Sequence, residues 1–370
     1  MHRNLIYKTI AMLKKLDIYI IKKFLGAYFL SIILIMSIAI VIDLTEKLDN
    51  FYATNLELST IIFDYYINFI PYYANLFSSL FTFISVIFVT SKMAFNSEII
   101  AMLASGISLK RILFPYFIAA GIIALITFFI GGYIIPPGNK VRYEFEQKYI
   151  KKKPAEKTIR NIQLKVSTNQ IAYIERFELE DNTGYRFSLD TFEGKTLVSR
   201  TTSNTIHWDS TYVWTLINYT KRDFVGLKEE LSMGDKTTIT INMKPSDFGW
   251  IKNQYEHLSN PALKAHIEEQ TQRGTAGLNL YKLEYEKRYA LPFAAFVLTL
   301  IGVSLGSRKV RGGTGLHILI GFMLSITYVL STMISSSLTV KAGFNPMVAI
   351  WSPNVVYFLI GLYLYKIAPK

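Results

Sequence analysis

Apolar runs of about twenty residues, the length that crosses a hydrocarbon core, are massed at the two ends of this 370-residue chain. Such runs place the chain in the membrane class before any motif is considered. The first is "FLGAYFLSIILIMSIAIVI" at 24–42; a second stretch, 60–90, carries Asp64, Asn68 and Pro71; a third covers 112–135 and stops at "PPGNK". Three more follow at about 289–306, 315–336 and 347–366. A polar residue or proline at membrane depth needs protein or water around it, so the second span reads as kinked or partly interfacial. The first run is too long for a signal-peptide core and has no small-residue cleavage site after it, so it reads as a permanent span. Residues 1–11, ahead of "MLKKLDIYIIKKF", read as an extension or a mis-assigned start.

Between 140 and 288 the composition turns soluble, with 24 basic and 20 acidic residues. Short period-two runs ("NIQLKVS", "QIAYIERFEL", "YRFSLDTFE", "KTLVSRTT", "TIHWDS", "YVWTLINYTKR", "TTITINM") recur with turn residues between them. That pattern predicts an antiparallel jelly roll or sandwich. One helix follows at 260–273, with Asn260 as its cap, Pro261 in the first turn and Gly274 as its stop. The expected fold class is therefore an α+β membrane protein: six transmembrane helices, with an extracytoplasmic antiparallel β jelly-roll domain (140–288) inserted between helices 3 and 4. The membrane halves are 1–139 and 289–370.

The net charge of +13 does not point to nucleic acid, because of where the charge lies. Outside 140–288, six Lys or Arg fall in 1–23, three in 92–111, three in 308–311 and two in 366–370, against only Lys47 and Lys341 on the alternate loops. This asymmetry puts both termini and the "SRKVRGG" loop on the cytoplasmic side and the β domain outside. With no cysteine, disulfides and thiolate chemistry are excluded. The five histidines are scattered, and no HExxH, GxSxG or Walker A motif occurs. The chain reads as having no active site, no metal and no cofactor.

Residues 97–107 predict a short cytoplasmic helix. Ser97 reads as its N-cap, Glu98 sits in the first turn where the helix dipole favours an acid, and Gly106 ends it. Ile99, Ile100, Met102 and Leu103 form one apolar stripe. A connector resting on the membrane surface would look the same. The sharper reading is a coupling helix that enters a groove on a cytoplasmic ATPase, with Glu98 meeting a basic residue there. Lys47, in the external "DLTEKLDNF" loop, and Lys341 read either as solvated turn residues or as contacts to an anionic lipid head group. The strand faces of the β domain read as core, or as an open trough for acyl chains.

Four motifs carry a family resemblance over essentially the whole chain: "LDIYIIKKFLGAYF" (16–29), "NSEIIAMLASGISLKRILFP" (96–115), "YEKRYALPFAAFVLTLIGVSLGSRKVRGG" (285–313) and "GFNPMVAIWSPNVVYFLIGLYLY" (343–365). With its layout of three spans, β domain and three spans, the chain resembles the LptF/LptG permeases (YjgP/YjgQ family), and its opening is nearer to the G type. The resemblance implies an inner-membrane permease subunit, in a Gram-negative bacterium, of the ABC exporter that extracts lipopolysaccharide. Its implied partners are a cytoplasmic ATPase dimer, a related sister permease and a periplasmic jelly-roll bridge protein. Glu98 would be the coupling acid, and spans one and five would line a lateral gate. A membrane-anchored sensor or assembly factor is the rival reading, distinguished by needing no coupling helix. An intramembrane lipid enzyme and an exporter of another lipid are disfavoured: Asp64 stands alone in its span, and the four motifs agree.

Overall fold

A computed structural model describes residues 14–151, 158–226, 228–248, 254–273, 278–308 and 315–369. The expectations for residues 1–11, Gly274 and most of the "SRKVRGG" loop lie outside the described residues. The chain divides into two compact units, Met1–Tyr143 with Asn279–Lys370, and Glu144–Leu278.

The first helix, α1 (Lys15–Ala53), runs for 39 residues. It continues through 43–50, where the sequence predicts an exit loop. Asp43 and Lys47 are one turn apart and ion-paired, so the polar stretch is satisfied within the helix. The chain turns at Asn55 (φ 46°) and passes through a π-helical segment, Ile61–Tyr66, into α2 (Ile67–Leu76). It breaks at Phe77 and restarts as α3 (Ser78–Phe95). The predicted 60–90 span is therefore two helices, and α3 alone is long and apolar enough to cross a membrane. Wide turns free carbonyl groups; the Asn68 side chain donates to one, that of Asp64, at 3.0 Å.

Next come α4 (Glu98–Ala104) and α5 (Leu109–Phe129). "PPGNK" does not stop the third span. A π turn at Ile130–Ile134 leads into α6 (Ile135–Phe145). A proline ring clashes with the carbonyl four residues back. For Pro136 and Pro137 those carbonyls lie in the π turn, where the ordinary ladder is already displaced.

In the second unit six strands follow: β1 (Thr158–Ser167), β2 (Gln170–Glu178), β3 (Thr183–Glu193), β4 (Thr196–Ser210), β5 (Val213–Val225) and β6 (Lys228–Thr240). Each pairs antiparallel with the next in a single jelly-roll-like sheet. Its core gathers Ile174, Phe177, Phe187, Trp214, Leu216 and Phe248. The Trp214 indole N–H donates to the Met243 carbonyl at 3.0 Å, which satisfies its polar atom in a dry site. Trp214→Ala is expected to destabilise this unit by about 3–5 kcal/mol. A thermal melt of the full chain followed by near-UV circular dichroism reads it. An unshifted transition would mean that the core forms without this ring. Helix α7 (Asn260–Arg273) completes the described elements of the unit.

The chain returns as α8 (Asn279–Gly306), α9 (Gly315–Ala342) and α10 (Pro346–Ile367). Among the described residues six helices can cross a membrane by length and apolarity: α1, α3, the continuous Leu109–Ile150 helix, α8, α9 from Ile318, and α10. α3 and α8 form the centre, with Phe81, Phe83, Val86, Leu298 and Ile301 buried. Tyr328 donates to the Asn354 side chain at 2.8 Å, and Asn354 donates to the Ala290 carbonyl at 2.9 Å, tying α8, α9 and α10 together. By contrast α1 and α9 keep most of their apolar windows exposed, for example Ile33, Ile38, Met333 and Ile334.

Candidate functional site

The helix α4 is seven residues long and could not persist alone in water. Its ends are fixed by backbone geometry. Gly106 is left-handed (φ 85°) and its N–H bonds the Leu103 carbonyl at 3.0 Å. The Ile107 N–H bonds the Met102 carbonyl at 3.1 Å, which completes a Schellman stop. Gly106 thus ends the helix as expected. Ser97 occupies the N-cap position, but it is left-handed itself (φ 64°) and its side chain makes no capping bond. Its part is to form the tight turn between α3 and α4.

Two clamps tie this turn to the start of α1. Glu98 accepts from the Tyr19 hydroxyl at 2.8 Å and pairs with Lys23 at 3.2 Å. Lys23 in turn lies 4.2 Å above the Tyr19 ring. Burial raises the Glu98 carboxyl, but the hydrogen bonds from Tyr19 and Lys23 and the charge of Lys23 outweigh it, and the net direction is down. Beyond α4, Arg111 in the first turn of α5 grips Asp17 through both guanidinium nitrogens at 2.6 Å. The Asp17 side chain is 1% exposed and also accepts from the Lys14 N–H at 2.9 Å.

The apolar stripe divides. Ile99 is fully buried, and Met102 and Leu103 pack against the same core. Ile100 faces out at 42% exposure, with Ala101, Ala104 and Phe95 beside it in sequence and also exposed. The structure therefore brings Glu98, Ile99, Met102 and Leu103 onto the inner side as anchors, and the outward surface is built by Ile100, split off from the stripe, with Phe95, Ala101 and Ala104, which the stripe did not single out.

Lys47 is not a free cation. Its ammonium is held by the Asp43 carboxylate and the Tyr65 hydroxyl and lies 4.6 Å over the Tyr65 ring. Tyr65 and Tyr66 donate to Asp43 at 3.1 and 3.3 Å. These contacts form a closed knot in place of the expected turn, because α1 carries Lys47 alongside the π-helical segment. Lys341 is exposed in the last turn of α9, ahead of the left-handed Gly343. Among the described residues no group of three His, Asp or Glu side chains could hold a metal ion.

Residues 18–367 match the family described as lipopolysaccharide export system permease LptF/LptG. The chain belongs to this family. LptF/LptG proteins are inner-membrane subunits of the lipopolysaccharide transporter and are not themselves enzymes. The chain is similar to lipopolysaccharide export system permease protein LptG of Escherichia coli strain K12, 23% identical over 281 residues, 74% of this chain and 76% of that protein. The same protein of Escherichia coli O6:H1 is similar to the same extent. Within this LptF/LptG chain, sequence reasoning found α4 but missed Asp17, Tyr19, Lys23 and Arg111 as its supports. The Tyr19–Lys23 spacing, one turn on one face, was the available signal.

Proposed function

We propose that this LptF/LptG subunit moves lipopolysaccharide mechanically, driven by a separate cytoplasmic ATPase that docks on α4. The observation that supports this most is the two-sided character of α4. Its inner side is bolted to α1 by Glu98, Tyr19 and Lys23, and Ile100, Ala101 and Ala104 stay exposed. A helix presented in this way fits a groove on a partner and passes displacement to the span beneath it. The charge asymmetry supports α4 and both termini in the cytoplasm and the sheet outside. The exposed apolar flanks of α1 and α9 suit a lateral gate shared with a sister permease. Exposed Leu231 and Met233 on the edge strand β6 suit a hand-over of acyl chains to a jelly-roll bridge protein.

Co-purification from detergent extracts, probing for an ATPase subunit, tests the reading. The wild type is expected to bring it down, Ile100→Asp to lose it, and Glu98→Ala to retain it weakly with lipid-stimulated hydrolysis lost. Because the Glu98 carboxyl titrates below its ordinary value, its contribution is present at neutral pH and disappears as pH falls through that lowered value. Coupling should therefore hold down to the usual carboxylate range and fail only below it. A wild type that binds no ATPase at any pH sinks the docking assignment.

A further inference from the structure

A crease crosses the β sheet from edge to edge. Between β1 and β2 the pairing goes from Arg160↔Arg176 to Ile162↔Ile174, stepping over Asn161 and Glu175. The step continues through Arg186 on β3, Asn204 on β4, Asn218 on β5 and Asp235 on β6. Asn161, Arg186 and Asn218, on alternate strands, are left-handed with φ of 55°, 54° and 54°. Left-handed backbone is uncommon away from glycine, and for a long side chain such as Arg186 it needs support from its surroundings.

The crease changes what the strands present. In a regular strand consecutive side chains point to opposite faces. Here consecutive residues, Arg160 with Asn161, Glu175 with Arg176, and Tyr185 with Arg186, line one cleft of about 500 Å³. Three guanidinium groups therefore meet one carboxylate. Glu175 holds Arg186 at 2.9 Å. Arg176 lies 4.4 Å over the Tyr185 ring and 3.7 Å from Glu178, outside the cleft lining. Arg160 is exposed and meets no acidic group among the described residues. It also stands directly opposite Arg176 across the strands, an arrangement that is unfavourable without a counter-ion.

The geometry points to a binding site in this cleft for a phosphate monoester carried on a sugar-sized group. The guanidinium fork matches phosphate oxygens in pairs. The cleft lining keeps an excess of positive charge over Glu175, which an anionic monoester would meet. The cleft volume falls in the range that holds a small polar ligand. The inference uses the β unit alone and stands whether or not α4 docks an ATPase.

Isothermal titration of the full chain in detergent is the test, with glucose 1-phosphate, inorganic phosphate, uncharged glucose, and mixed micelles of a phosphorylated glucosamine glycolipid as probes. Glucose 1-phosphate is expected to saturate, glucose not to bind, and affinity to fall as salt rises. Arg160→Gln and Arg176→Gln should each weaken binding about tenfold. Arg160→Lys should recover part of it. If only the glycolipid micelles bind and the variants lose them, the phosphate is lipid-borne. If inorganic phosphate binds as well as the ester, the sugar-sized group adds nothing and the proposal of a sugar-borne monoester is overturned. An unchanged near-UV spectrum of each variant separates site loss from misfolding. The site is overturned if no phosphate probe binds the wild type, or if folded variants bind as tightly as it does.

Discussion

Leucine at Gly302 is expected to prevent the membrane unit from assembling. A Cβ built at Gly302 would lie 2.2 Å from Val86 Cγ1, and Val86 is completely buried on α3. One turn on, a Cβ at Gly306 would meet Thr90 Cβ at 3.0 Å and the Ser91 backbone nitrogen at 3.3 Å. Gly321 on α9 approaches Ile87 as closely, at 2.2 Å. α3 is thus the post on which α8 and α9 both close through glycine. In lipid no hydrophobic gain drives two apolar helices together, and close packing of small residues supplies the attraction instead. Gly302→Ala should cost about 1–3 kcal/mol, the range for overpacking, because Val86 Cγ1 can rotate away only into other packed atoms. Leucine has no such escape and should exceed it. Size-exclusion profiles and thermal melts in detergent report the outcome. Val86→Ala should restore part of the Gly302→Ala loss, since the two changes share one contact. A leucine variant with the wild-type melting point would refute this account of the centre.

The same glycines show where sequence reading stops. Runs of apolar residues announce α1, α3, α5, α8, α9 and α10, because span length follows from composition alone. Which face of each span packs inward does not, since every face is apolar; the close approaches of Gly302 and Gly306 emerge only from the structure. In the β unit the alternation gave the antiparallel class but split β4 into "KTLVSRTT" and "TIHWDS" around Ser203–Asn204. Those polar residues read as a turn. They lie instead at the crease, with Ser203 buried and its hydroxyl bonded to the Thr205 carbonyl at 2.7 Å. β6 was read only from its end, because "KEELSMGDK" lacks period-two apolarity on an exposed edge. For α4 the helix itself was legible from local residues. Its supports were not: Tyr19 and Glu98 are 79 residues apart, and Asp17 and Arg111 are 94 apart. No periodicity encodes such a pairing. The partners of Lys47 were hidden for a similar reason, because Tyr65 reaches it from 18 residues away.

Arg111→Ala is expected to lower stability by about 3 kcal/mol, toward the lower end for breaking a buried ion pair. The asymmetry of the pair sets the size. Arg111 is 36% exposed, so its own charge is partly screened by water. Asp17 is 1% exposed, so its carboxylate has no water to replace the two guanidinium bonds. What the variant loses is therefore chiefly the desolvation of an unpaired anion, with only the Lys14 N–H left to hold it. Lysine at 111 should recover less than half, because one ammonium cannot reproduce a two-pronged grip. Adding Asp17→Asn to Arg111→Ala should return much of the stability, since no buried charge is then stranded. Function should behave differently from stability. The pair ties the start of α5 to α1, and α4 lies between the two clamps, so the neutral double variant still lacks one of the attachments that hold α4 to α1. A double variant with a restored melting point and poor lipid-stimulated ATP hydrolysis in the assembled transporter would identify the pair as a transmission element. Restoration of both together would reduce it to a structural tie, and wild-type melting of Arg111→Ala alone would remove even that.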